Sequence, residues 1–477
     1  PDEADLLHRL AELYMRRSRT GRFFDLHQDS KSMKLSSFPM PSEKGADWIR
    51  KAAATYTDIE KRFPKYHDLD SVLFNNAFAN QQLNNIRQAE ILYQRLIDQK
   101  PKSRLVPDAA VALGELAYDQ RRFSLALHHF AVAEKFPESR VYTYALYKSA
   151  WAHYNMKDSD QGVKRLLEVV EACPPDFQGD QAKNRQNLRR EALRDLTIFV
   201  GDSRTASELY PFFRKITTEE ELGQSMMDLS KLYMSHGKFK DMDIFLDEFM
   251  KKHPKNAFRV KANLNLVEAN ENLKAREKVL SNLRSAAELC RPDSSWRAAQ
   301  VPEIVEESCS KMFKTETNAI AAKWWEIWQK NKGHKEFSGL LEQALKVVLE
   351  NEDPNSPDLS SRFGYAELLF QLQRFPEASD NYSKTAESLA MLSWPSTAGK
   401  PAAPSTDSHG VVLMNAKATS PEDQKRLHDA DYGALFSLEK SVGKKAGATV
   451  DARRKLLAQT YLSRHPRGEH AGDVTMR

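Results

Sequence analysis

The sequence predicts an all-α protein, a right-handed α-solenoid of stacked helix pairs whose C-terminal pairs diverge from the rest. Three observations predict it. Prolines recur at a near-constant interval behind helix-like runs, and small and bulky residues recur at fixed places ahead of them. Glycine is also scarce, at 18 in 477 residues. Tight turns between strands and phosphate-cradling loops both consume glycine, so its scarcity favours helices.

The interval is the strongest signal. EKRFP ends at Pro64, RLIDQKP at Pro101, AVAEKFP at Pro137 and VVEACP at Pro174, in steps of 37, 36 and 37 residues. Proline cannot continue a helix, so each one closes a unit. Ahead of them stand the pairs Ala52/Tyr56, Ala89/Tyr93, Ala126/Phe130 and Gly162/Leu166. Twelve residues before three of these small residues lies another, at Ala77, Gly114 and Ala150. Small residues at both places let two helices approach closely, and the bulky residue fills the gap to the next unit. This is the helix-turn-helix logic of a tetratricopeptide repeat, with a period slightly longer than the usual ~34 and hence lengthened turns.

The remaining segments follow from the same pattern. Residues 1–45 hold one amphipathic helix, Ala4 to Arg17, and an irregular Ser- and Lys-rich arm that either docks back or stays mobile. Residues 46–178 are the regular repeats. Residues 179–257 are further repeats. One of these is a helix pair from Asn187 to Phe213 turning at Gly201-Asp202-Ser203, and another puts Met242 at the small position. Residues 258–392 read as divergent helical repeats, with Ala366 and Ala378 restoring the consensus late. Residues 393–424 are rich in Pro, Ser, Thr and Ala and read as a flexible loop. Residues 425–477 read as capping helices ending before Pro466.

Composition excludes several functions. Lys+Arg 71 against Asp+Glu 66 leaves a net charge of +5, too diffuse for a phosphate-binding footprint, so no nucleic acid is expected. Nor does any run of some 18 apolar residues exist to span a membrane. The chain opens with Pro1, which suggests a mature or trimmed form, in which a removed signal peptide or lipid anchor would leave no trace. Cys173, Cys290 and Cys309 form no zinc spacing; a Cys290–Cys309 disulfide is permitted, but unpaired thiols are the expectation.

GELAYDQRRFSLALHHF followed by PESRVYTYALYKSAWAHYN resembles the tetratricopeptide repeats of bacterial envelope proteins, of the Tol-Pal-associated and outer-membrane-assembly type. The likeness extends over about residues 46–254 and is closest to repeat proteins of deltaproteobacterial gliding-motility complexes, which the segment from Ala192 to Pro254 also fits. The resemblance implies a periplasmic scaffold within a trans-envelope machine, with a cytoplasmic tetratricopeptide adaptor as the alternative. Partners would be other proteins, seated as a peptide or helix in the concave groove. Oligomeric state is not legible.

In such repeats the first helix of each pair lines that groove. From Thr143 on, Leu146, Ser149, Ala150 and His153 fall at packing positions. That leaves Tyr144, Tyr147, Trp151 and Tyr154 as a stripe on the opposite face. Neighbouring units place Phe74, Phe78 and Gln81, then Val111, Glu115 and Tyr118, at equivalent positions. These residues form the expected partner-binding groove, because Tyr and Trp offer large contact area with few rotors. The competing reading has the solenoid's curvature or the N-terminal arm covering them. The Lys and Asn of a chaperone-type carboxylate clamp are missing from these positions. Among Trp324, Trp325 and Trp328, Trp324 and Trp328 share a helix face, and core packing is expected. Lys444, Lys445, Arg453, Arg454 and Lys455 read as a solvated face.

No catalytic residue, metal site or cofactor is expected. The sequence lacks G-x-x-x-x-G-K-[ST], G-x-G-x-x-G, H-E-x-x-H and G-x-S-x-G. His128 and His129 point about 100° apart on a helix and make a poor metal pair. Asp241 and Asp243 lack the Gly and distal Glu of a calcium loop. A cell-wall-acting enzyme is the rival of another class, but the roughly 50 residues after the loop are too few for a lysozyme-like domain.

Overall fold

The structure, a computed structural model, describes residues 3–18, 43–179, 181–201, 203–331, 334–351, 358–394, 404–415, 419–441 and 447–475. It divides into two compact units, Pro1–Phe249 and Met250–Arg477. Residues 19–42 of the expected arm, Asp202 of the expected turn, and Lys444 and Lys445 lie outside the described residues.

In the first unit α1 (Glu3–Arg17) packs on α2 (Glu43–Arg62). Pairs follow as α3 (Leu69–Gln82) with α4 (Ile86–Gln99), α5 (Val106–Asp119) with α6 (Phe123–Ala133), and α7 (Tyr142–Asn155) with α8 (Ser159–Ala172). Then come α9 (Ala182–Gly201), α10 (Ala206–Ile216), α11 (Glu219–Ser235) and α12 (Phe239–Lys252), the division between the units falling inside α12. Each helix from α1 to α9 packs on the next, and α5 also touches α7, as α7 touches α9. Pro64, Pro101, Pro174 and Pro254 each stand two residues past a helix end. Ala52, Ala77, Ala89, Gly114, Ala126 and Ala150 are buried, as are Tyr56, Tyr93, Phe130 and Leu166. A Cβ on Gly162 would meet the Phe199 ring at 2.8 Å and the backbone oxygen of Ala150 at 3.2 Å. Gly162 is therefore small because a neighbouring ring and a second backbone both press on it.

A second repeat signature is invisible to residue-type reasoning. The first helix of a pair ends on a left-handed residue at Asn84, Arg121, Lys157, Gly237, Lys274 and Gln373, with φ between 58° and 68°. The following N–H returns to a carbonyl five residues back: Asn85 to Asn80, Arg122 to Ala117, Asp158 to His153, Lys238 to Tyr233, Ala275 to Asn270 and Arg374 to Leu369, at 2.8–3.0 Å. This is a helix stop normally made by glycine. Five of the six positions carry a longer side chain at a steric cost, so sequence alone marks one of them.

In the second unit α13 (Arg259–Asn272) pairs with α14 (Arg276–Cys290). The short α15 (Pro302–Val305) runs through a π-helical stretch, Glu306–Phe313, into α16 (Lys314–Lys330), which packs on α17 (Lys335–Glu350). α18 (Leu359–Gln371) and α19 (Phe375–Leu392) pair, then α20 (Pro421–Ser441), α21 (Ala448–Arg464) and α22 (Ala471–Thr475) close the chain. Trp296, Trp324 and Trp328 are fully buried, and each indole N–H is satisfied, by the Asn256 carbonyl, the Glu271 carboxylate and the Ser338 hydroxyl. A buried tryptophan needs such a partner.

Two expectations are corrected here. Cys290 and Cys309 are joined as a disulfide with Cα atoms 5.5 Å apart, while Cys173 is a buried thiol. The π-helical stretch carrying Cys309 packs on α14 and brings the two together, a proximity that no spacing rule encodes. The segment 393–424 is also more than a flexible loop. Its described part forms an isolated antiparallel bridge, Thr406 to Val412, turning at Gly410 with φ 79°. Trp394 Nε1 donates to the Leu413 carbonyl at 2.7 Å, and Arg464 Nε donates to the Val412 carbonyl at 2.9 Å. Ser463 Oγ, together with the N–H groups of Val411 and His409, holds the Asp407 carboxyl down to about 2. The helix that follows starts at Pro421. No helix among the described residues is long and apolar enough to cross a membrane.

Candidate partner-binding site

The expected groove is built on the first helices α3, α5 and α7. Helical periodicity places Phe74 and Phe78 on one face of α3, Glu115 and Tyr118 on one face of α5, and Tyr144, Tyr147, Trp151 and Tyr154 along α7. The structure puts these residues on that ridge but turns most of them inward.

The α7 stripe is a packing face, which corrects the reading of it as unpacked. Tyr147 O–H donates to Asp195 Oδ2 at 2.6 Å and Trp151 Nε1 donates to the same oxygen at 2.9 Å. The Tyr154 ring stacks on Phe199 at 4.2 Å, and Trp151 meets Phe199 edge-on at 5.2 Å. Asp195 and Phe199 belong to α9. Leu146, Ser149 and Ala150, on the other side of α7, are buried as well. The physical reason is the stacking: a first helix is flanked by its partner, by the preceding unit and by the first helix of the next. A two-faced reading of a single helix cannot anticipate three flanks.

Phe74 and Phe78 are likewise buried, Phe74 edge-on against Tyr93 at 5.5 Å. Tyr93 O–H donates to Gln81 Oε1 at 3.0 Å. Glu115 is only 3% exposed. Tyr144 O–H donates to its Oε1, Lys148 Nζ stands 3.7 Å from the same oxygen, and Oε2 has no partner. Burial pushes the Glu115 carboxyl up to about 7 against the pull of Lys148. Burial also raises the Tyr144 and Tyr147 hydroxyls, with the neighbouring carboxylates Glu115 and Asp195 adding to the shift.

What stays reachable is a half-buried edge of Gln81, Tyr118, Lys148, Trp151 and Tyr154, with Asn155 exposed beside it. Lys148 Nζ sits 4.5 Å over the Tyr118 ring, and Asn155 Nδ2 donates to the Tyr118 hydroxyl at 2.9 Å. Sequence reasoning missed Lys148 and Asn155, which stand four and one positions from residues it chose, and it missed Asp195 and Phe199, which only the neighbouring helix supplies. An edge of ring faces, an amide and an ammonium can seat a peptide through stacking and hydrogen bonds. Among the described residues no three His, Cys, Asp or Glu side chains are placed to hold a metal ion. His128 and His129 meet edge-on at 5.5 Å on α6.

Residues 144–175, most of α7 and all of α8, match the tetratricopeptide repeat family. No curated protein matches the chain. Among solved structures, a complex described as "Structure of Naa15/Naa10 bound to HypK-THB" aligns with a TM-score of 0.33 and 10% identity, over 99% of this chain and 67% of that one. A score that low bears on neither fold detail nor function. The recurrent close-packed helix pairs make this an all-helical repeat protein, one unit of which, residues 144–175, is similar to the tetratricopeptide repeat.

Proposed function

We propose that the protein is a non-catalytic protein–protein interaction scaffold of a cell-envelope machine, working in the periplasm as a component of a gliding-motility complex. The observation that carries the scaffold reading is the tetratricopeptide match at residues 144–175, set in a run of helix pairs that pack neighbour to neighbour. Such arrays present an extended surface for other chains. The resemblance of residues 46–254 to gliding-motility repeat proteins supports the envelope assignment. The Cys290–Cys309 disulfide also fits an oxidising compartment such as the periplasm.

The partner-binding edge is the half-buried row Gln81, Tyr118, Trp151 and Tyr154, backed by the packed residues Phe74, Phe78, Glu115, Tyr144 and Tyr147. The test is affinity capture from envelope extracts with wild type and with Tyr118→Ala/Tyr154→Ala, both shown to be equally helical. Captured chains are identified by mass spectrometry. Recovery of motility-complex proteins by wild type and their loss from the variant supports the reading. Equal capture by both moves the site off this edge. Capture of cytoplasmic proteins alone overturns the periplasmic assignment.

A further inference from the structure

The stretch Glu306–Phe313 is wound as a π-helix inside a helical run that is otherwise α, from Pro302 to Lys330. Its i→i+5 bonds widen the turn, a winding that is rare and persists where something holds it. What it achieves here is an alignment. Cys309, Phe313 and Thr317, each four residues from the next, are all buried, at the head of a row that continues through Ala321, Trp324 and Trp328. Residues four apart in an α-helix are offset by about 40°. An α winding would therefore turn Cys309 away from Phe313, whereas the wider turn sets it nearly above Phe313 and against α14.

The segment is pinned at both ends and clamped between them. Before it, Trp296 Nε1 donates to the Asn256 carbonyl and Gln300 Nε2 to the Lys255 carbonyl, both at 2.8 Å. After it, Trp324 Nε1 donates to the Glu271 carboxylate at 3.1 Å. Among the described residues, 301–313 is joined to other helices by the Cys290–Cys309 bond and by apolar packing of Ile304, Met312 and Phe313. Its Val301, Glu303, Glu307 and Lys311 are exposed. A cavity of about 380 Å³ lies against the bond, lined by both cysteines, Arg297, Phe313, Thr317 and Val348, so the sulfurs are not close-packed on that side.

We propose that Cys290–Cys309 is a redox-operated clamp. Joined, the two sulfurs hold Glu306–Phe313 in the π winding against α14; reduced, they let it rewind to α and carry Cys309 off α14. The reductant is a dithiol. One of its thiolates attacks a sulfur of the bond, forming a mixed disulfide and releasing the other cysteine. Its second thiol then displaces the cysteine still attached. Two electrons and two protons pass to Cys290 and Cys309, and the dithiol leaves as its own disulfide. The switch goes beyond the scaffold reading and depends on no particular partner. It resets one surface segment of the second unit while the unit stays folded.

Dithiothreitol is the probe, added to the full chain without denaturant. Peptide-resolved amide exchange and iodoacetamide labelling are followed by mass spectrometry. The bond should open, and the amides of 301–313 should exchange at least about ten-fold faster while α13, α14 and the Trp324 turn of α16 keep their protection. Cys309 should label at least about ten-fold faster than Cys290, which stays on α14. Removing the dithiothreitol and reoxidising in air should restore slow exchange, and Cys309→Ser should show the exchange pattern of the reduced chain. A bond that opens only in urea overturns the proposal, as does exchange of 301–313 that is alike in both states. Protection lost evenly across the second unit, or equal labelling of Cys290 and Cys309, makes the bond a structural brace and overturns it too.

Discussion

Gly114 gives the sharpest test of the repeat packing. A Cβ added there would lie 2.3, 2.5 and 2.9 Å from three carbons of the Phe130 ring. Carbon atoms prefer about 3.5–4.0 Å, so the ring must retreat by roughly 1 Å or more. Phe130 is 0% exposed, in a position the repeat reserves for the bulky residue, and has no room to yield. Overpacking of this kind costs about 1–3 kcal/mol, and a contact this short belongs at the upper end. Replacing a mid-helix glycine by alanine returns about 1 kcal/mol of helix propensity. Gly114→Ala should therefore lose a net ~2 kcal/mol. Gly339→Ala supplies the control, because a Cβ there meets nothing within 4 Å. The same substitution in α17 should gain about 0.5–1 kcal/mol. Urea unfolding followed by circular dichroism reads both, and amide exchange in α5 and α6 assigns the loss. Shrinking the ring should restore what the methyl removes, so Gly114→Ala/Phe130→Leu should fall short of additivity by more than about 1 kcal/mol. Gly114→Ala at or above wild-type stability, or strict additivity with Phe130→Leu, would refute the reasoning.

Three further outcomes are expected. Arg189, buried in α9, donates to the carbonyls of Val170 and Ile216 at 2.7 and 2.9 Å and to both oxygens of Glu221 at 2.6 and 3.0 Å. Arg189→Met should cost about 3–5 kcal/mol in urea unfolding, and Arg189→Lys should fail to restore it, because a point charge cannot reproduce the fork. Glu115 keeps its proton up to about 7 in the folded chain against an ordinary 4.5. The folded state then binds more protons between those pH values, so stability is fullest below about 4.5 and falls as pH rises towards 7. The fall is at most about 3 kcal/mol, and Glu115→Gln should flatten that slope in thermal melts across the window. The Cys290–Cys309 bond closes a sequence separation of 19. Cys309→Ser should cost about 3 kcal/mol, with the loss of exchange protection confined to the second unit.

Much of the architecture was legible because close packing leaves marks in residue type. A close approach at Gly114, Ala126 or Ala150 admits no large side chain (at Gly114 the Phe130 ring fills the space), and a helix end admits proline. Both constraints act within one helix pair and survive in one sequence. Most of the six left-handed helix stops were not legible, because Arg121, Lys157, Lys274 and Gln373 adopt that backbone under tertiary pressure that residue type does not report. Nor was the Cys290–Cys309 bond, since a 19-residue separation gives no orientation.

The aromatic groove marks the boundary between the two kinds of knowledge. The sequence alone determined that Tyr144, Tyr147, Trp151 and Tyr154 share one face of a first helix, since 3.6-residue periodicity is local. Only the tertiary structure decided what that face meets: Asp195 takes the Tyr147 hydroxyl and the Trp151 indole, and Phe199 takes the Tyr154 ring. Those partners lie more than 40 residues away on α9, and their arrival depends on how far one pair is rotated against the next. Periodicity therefore fixes which side chains stand together, and stacking fixes whether another molecule can reach them.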